Sequence, residues 1–163
     1  MTRSIRATES TPERIAAEHA VLARRVQRMT GELTTAATSR MEEALPWFSA
    51  LPANERASVS LVAQSGISNF VDWFSAGLAS KDHVGDIFST APRELARALT
   101  LQQTVELVRT SMAVVEELVE HIAGTNEYRQ SYLRESLLRY SSEIAFAAAE
   151  FYARAAENRG AWD

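Results

Sequence analysis

The sequence predicts an all-α fold, a helical bundle closed by a long antiparallel helix hairpin, and three observations carry that expectation. Leu101, Val105, Val108, Met112, Val115, Val119 and Ile122 recur at steps of four and three, which places all seven on one face of a long helix. Leu133, Leu137, Tyr140, Ile144, Ala147 and Phe151 repeat the spacing in a last helix, expected from about Asn126 to Asn158 with Gly160 as its stop. Only the short link Gly124-Thr125 separates the two patterns, so the helices should fold back on each other. No period-two alternation competes. Four prolines and six glycines are also too few for a many-turned β fold.

The remaining elements follow in chain order. Residues 1–9 read as a flexible arm, and residues 10–163 as one all-helical domain cut from a longer protein. Ser10 followed by Pro12 and Glu13 has the pattern of a helix start, with a capping box between Ser10 and Glu13. Ile15, Leu22, Val26, Met29 and Leu33 then mark one face of a helix running toward Glu43, with Gly31 as a weak point. Pro46 and Pro52 bracket Trp47 and Phe48 in a turn or short helix. A further helix is expected over residues 53–64, broken at Gly66, and another over residues 67–76. Residues 78–90 read as a loop, after which Pro92 opens a short helix that breaks at Thr100.

Composition narrows the function classes. The 163 residues suit one domain with a sizeable core. The absence of cysteine removes disulfides, thiolate metal sites and cysteine nucleophiles, and it fits a cytoplasmic protein. Met1-Thr2-Arg3-Ser4-Ile5-Arg6 is followed by no apolar core, so no signal peptide is expected, and the longest apolar run is far short of a membrane span. A net charge of −4 disfavours a nucleic-acid-binding face. The arginines near the N-terminus (Arg3, Arg6, Arg14, Arg24, Arg25 and Arg28) are offset by Glu9, Glu13 and Glu18, as in a solvated segment.

Candidate chemistry is sparse. Val62-Ala63-Gln64-Ser65-Gly66-Ile67-Ser68 resembles the turn of a helix-turn-helix, but the following Asn69-Phe70-Val71-Asp72-Trp73-Phe74 carries an aspartate and no cation. A helix that reads DNA needs arginine, lysine or amides for phosphates and base edges. His19, His83 and His121 have no partner at a zinc-like spacing. Either His19 or His83 could be tried as a haem ligand, which keeps a haem- or metabolite-binding globin-like protein as the alternative reading. Glu116, Glu117 and Glu120 read as a solvated helix face, because Glu117 and His121 miss the Glu-x-x-His spacing. No nucleophile elbow or phosphate loop occurs, so neither an enzyme nor a cofactor is expected. The aromatics Trp47, Phe48, Phe70, Trp73, Phe74 and Phe88 concentrate in residues 47–88. They serve as core and as the candidate wall of an apolar ligand pocket.

Several of these runs also resemble a known family. Residues 47–62, the run Gly66-Ile67-Ser68-Asn69-Phe70-Val71-Asp72-Trp73, and Ala91-Pro92-Arg93-Glu94-Leu95 leading into Leu101-Gln102-Gln103-Thr104-Val105-Glu106-Leu107-Val108-Arg109 resemble the N-terminal domain of actinobacterial PucR-type transcriptional regulators. The fatty-acid-synthesis regulators of that group are the nearest in wording, and residues 156–163 are similar to the end of that domain. The resemblance implies a longer protein with a C-terminal helix-turn-helix, and an N-terminal domain that senses or dimerises. That domain is similar to the RsbR-type N-terminal domain, a non-haem globin-like fold. The expectation is therefore a cytoplasmic regulatory domain that forms a homodimer through residues of the seam. It would bind a small apolar or acyl ligand and make no contact of its own with nucleic acid or membrane.

Overall fold

The computed structural model describes residues 12–76 and 98–160, and these residues are all-α, with no strand among them. Their helices are α1 (Pro12–Arg28), α2 (Thr30–Ala44), α3 (Pro46–Ser49), α4 (Ala53–Ser75), α5 (Leu101–Glu117), α6 (Val119–Ala123) and α7 (Glu127–Gly160). The expected N-terminal arm, Ser10 as a cap, the loop of residues 78–90 with His83 and Phe88, and the short helix after Pro92 lie outside the described residues.

Three expected boundaries move. The single helix expected from Pro12 toward Glu43 is two helices, divided at Met29, whose backbone sits at φ −90° and ψ 0°. The Thr30 hydroxyl donates to the Gln27 carbonyl at 2.9 Å, a local bond of the kind that competes with the helix ladder. The break expected at Gly66 does not occur, and α4 runs through it unbroken. Burial explains this: Ile67, Phe70, Val71, Trp73 and Phe74 all enter the core beyond it, so tertiary packing outweighs the modest helix penalty of one glycine. A turn at Gly66 would have been the centre of a helix-turn-helix, and that geometry is absent. The long helix expected to reach Gly124 is interrupted at Leu118, whose N–H reaches the carbonyls of both Val114 and Val115. Val119 and Ile122 keep their inward direction past the interruption.

The expected starts and stops of the hairpin are present. Thr100 caps α5 in a capping box with Gln103, each side chain satisfying the other residue's backbone N–H. Gly124 ends α6 at φ 71°, a conformation that favours glycine. The Asn126 side chain accepts from the Arg129 N–H at 3.1 Å and so caps the start of α7. The short link then returns α7 along α5 and α6, as the sequence predicts.

Two apolar clusters form the interior. The larger joins α1, α2, α4 and the hairpin around Phe70, Phe74, Val115, Leu133 and Tyr140. The smaller gathers Met41, Leu45, Phe48, Val59, Leu99 and Leu107 where α2, α3, α4 and the start of α5 meet. Two polar ties fix that second region. The Trp47 indole donates to Glu106 at 2.7 Å. The Tyr152 hydroxyl donates to the Leu99 carbonyl at 3.0 Å and lies 2.7 Å from the Thr104 hydroxyl.

Candidate functional site

The five described aromatics of the proposed pocket, Trp47, Phe48, Phe70, Trp73 and Phe74, do not line a common cavity, and Phe88 lies outside the described residues. Phe70, Trp73 and Phe74 are buried in the larger cluster, where Phe70 stacks edge-on against Tyr140 at 5.2 Å between ring centroids. Phe48 is buried in the smaller cluster with Trp47 half-buried beside it. Four of the five described aromatics are thus packed core, split between two sites.

Open space lies instead along the hairpin. A groove of about 590 Å³ runs between α5 and α7. Val105, Val108, Arg109, Met112, Ala113 and Glu116 form its α5 wall, one face at steps of three and four. The α7 wall is Arg134, Leu137, Leu138, Ser141, Ser142, Ala145 and Ala148. Leu138 is 70% exposed, and Phe146 on the same helix is equally exposed. The seam seen in the sequence therefore divides. Met112, Val115, Val119 and Ile122 are buried, Val105 and Val108 are half-buried at the groove, and Leu101 is exposed.

The sequence reading missed the buried polar residues Thr104, Ser111 and Ser136. The Ser111 hydroxyl has no hydrogen-bond partner among the described residues and lines a void of about 40 Å³, room for a water molecule. The Tyr140 hydroxyl donates to the Gly66 carbonyl at 2.7 Å, which pins α7 to the middle of α4. Burial raises the Tyr140 pKa far above the ordinary phenol value, so this group is a fixed donor. Only the sequence position of Gly66, a helical residue with no side chain over its carbonyl, hinted at that contact.

A second cleft, about 390 Å³, lies between the start of α1 and the start of α7. Ile15, Leu22, Tyr128 and Tyr132 supply apolar walls, and His19 packs edge-on against Phe74 and Tyr132. The Arg129 guanidinium donates through Nε to Glu18 at 2.6 Å on the cleft's edge. That hydrogen bond holds the Glu18 carboxyl below its ordinary pKa, with Arg129, Arg14 and Arg25 adding attraction through their charge.

The carboxylates expected to be solvated are so placed. Glu116, Glu117 and Glu120 are exposed, and Glu117 pairs with Arg40 of α2 through both oxygens. His121 is exposed as well. Among the described residues no group of three or more His, Asp or Glu side chains is placed to hold a metal ion. No helix among them is long and apolar enough to cross a membrane.

No family model matches the chain. Over 142 residues it is 42% identical to uncharacterized proteins of Mycobacterium tuberculosis and Mycobacterium bovis. The similarity covers 87% of this chain and 34% of each of those proteins, so the chain spans about a third of the length of the curated relatives it matches.

Proposed function

We propose that the chain is a regulatory, dimer-forming domain of a PucR-type transcription regulator, acting in the cytoplasm by association rather than catalysis, with a helix-turn-helix elsewhere in a longer protein doing the DNA binding. The observation that carries this reading is the unfilled face shared by α5 and α7, which is chemically self-complementary. Arg109 and Glu116 lie two turns apart on α5, about 10 Å along its axis, and both border the groove. The midpoint between them falls at Met112 and Ala113. A two-fold axis there would set Arg109 of one copy against Glu116 of the other, twice, over the apolar floor of Val105, Val108 and Leu137. That is the geometry of an isologous interface.

Neither Arg109 nor Glu116 makes an ion pair among the described residues. The burial of Phe70, Val71, Trp73 and Phe74 on α4, with no turn before them, supports a DNA-binding role lying elsewhere. Relatives about two and a half times as long support a module within a larger regulator.

The test is the mass in solution. A two-copy species is expected at micromolar concentration, weakened in Arg109→Glu and in Glu116→Arg and restored when both substitutions are combined. A wild-type monomer at that concentration overturns the dimer. A dimer indifferent to both single substitutions moves the interface off this face.

A further inference from the structure

The cleft between α1 and α7 combines three features that the fold itself does not use. Its walls are apolar or aromatic, and two of them reach the surface, Ile15 at 41% exposed and Tyr128 at 56%. Its volume, about 390 Å³, lies within the range of small-ligand sites, roughly 300–1,000 Å³. Its edge carries Arg129, which is mostly buried yet spends only Nε on Glu18, and its two terminal amino groups make no hydrogen bond to the described residues. A guanidinium offers five donors in a planar fork suited to carboxylates. Arg14 and Arg25 add weaker attraction on Glu18 through their charge. The exposed acids Glu13 and Glu127 are screened by solvent.

We propose that this cleft binds a small aromatic carboxylate, with its ring between Tyr128, Tyr132 and the aliphatic side chains of Ile15 and Leu22, and its carboxylate held by the terminal amino groups of Arg129. The fork then bridges two carboxylates, Glu18 through Nε and the ligand through both Nη, each by charge-assisted hydrogen bonds. Aromatic walls favour a planar ring by offset or edge-on stacking. The consequence for signalling rests on the regulatory reading above, whereas binding itself does not. Tyr128, Arg129 and Tyr132 sit on the same continuous helix as the groove residues Arg134 to Ala148. A ligand that ties α1 to the start of α7 therefore restrains the helix that carries the proposed dimer face.

Titration calorimetry and thermal melting with benzoate, its neutral isostere benzamide, and acetate test the site. Saturable binding of benzoate is expected, at least about tenfold tighter than benzamide, a difference of about 1.4 kcal/mol. Acetate, which has the charge but no ring, should bind still more weakly. Arg129→Gln should reduce benzoate to the level of benzamide. Glu18→Gln breaks the same ion pair but removes a competing negative charge, so it should keep or tighten benzoate binding. Equal affinity for benzoate and benzamide, no benzoate binding at millimolar concentration, or retained binding in Arg129→Gln would each overturn the proposal. So would loss of binding in Glu18→Gln. Mass measured on the same samples separates the two readings: a dimer that ignores benzoate sinks the cleft alone, and a monomer that binds it sinks the dimer alone.

Discussion

Val108 and Val115 occupy equivalent positions seven residues apart on α5, yet Val115 is wholly buried and Val108 borders an open groove. What stands opposite each half of the helix makes the difference. In the antiparallel hairpin the second half of α5 and the whole of α6 meet the first turns of α7, where Leu133, Leu137 and Tyr140 are large, and α4 closes the other side with Ile67 and Phe70. The first half of α5 meets Ser141, Ser142, Ala145 and Ala148, side chains too small to fill the space between the two axes. Apolar periodicity thus says which way a residue points, while the volume on the facing helix says whether it arrives in a core or at a groove.

The largest effect that can break this contrast is Val115→Glu. It places an unpaired carboxylate among Val119, Leu133 and Tyr140, and the cost should exceed about 4 kcal/mol. The expected outcome is loss of the helical circular-dichroism signal or of a cooperative melt. A folded, merely monomeric Val115→Glu protein would mean that the face of α5 carrying Val115 is interface rather than core. Val105→Glu asks the opposite question. Its side chain is half-buried beside solvent, so stability measured by thermal melting should fall by no more than about 1 kcal/mol. The dimer should dissociate at least about tenfold more readily, because a carboxylate placed on the apolar floor of the face would lose its water to an apolar partner surface. Leu138→Glu, at a 70%-exposed position on the α7 wall, should behave the same way. If both unfold the chain, the groove is a poorly packed core rather than a face for a partner.

Tyr140→Phe tests how firmly the core half is fixed. The substitution keeps the ring that packs on Phe70 and Trp73 and deletes the donor to the Gly66 carbonyl. A loss of about 1 kcal/mol is expected in urea unfolding, since one part-buried hydrogen bond is lost while the Gly66 carbonyl keeps its place in the α4 ladder. No measurable loss would show that water replaces the phenol there, which the neighbouring void could allow.

Much of the architecture was legible in the sequence because it rests on local signals. The hairpin followed from two stretches of matching spacing, and its ends from Thr100, Gly124 and Asn126. The all-helical class followed from the lack of any rival period. What the sequence could not reveal depended on distant partners. Gly66 looked like a break because a glycine weakens an isolated helix, and only the burial of Phe70 and Phe74 against α7 overrides it. The aromatic-rich segment looked like a pocket because large rings near irregular helices can line one, yet rings that fill a core and rings that line a cavity have the same spacing. The groove and the cleft arose where small residues on one helix face larger ones on another, a pairing that no single helix encodes. The Glu18–Arg129 pair joins residues 111 apart and leaves no mark in either local stretch.

The smallest expected effect sharpens the comparison within α5 itself. Thr100→Ala removes the hydroxyl that accepts from the Gln103 N–H, and half of the capping box with it. Such a loss costs about 1 kcal/mol. It should not spread evenly, because stability is held locally and the first turns of α5 have the groove on one side. Hydrogen exchange should speed up at the amides of Gln103, Thr104 and Val105, while Val114, Val115 and Ile122, packed within the larger cluster, exchange as before. If exchange rises equally along the helix, α5 opens as one unit, and the two halves differ in what they face but not in how firmly they are held.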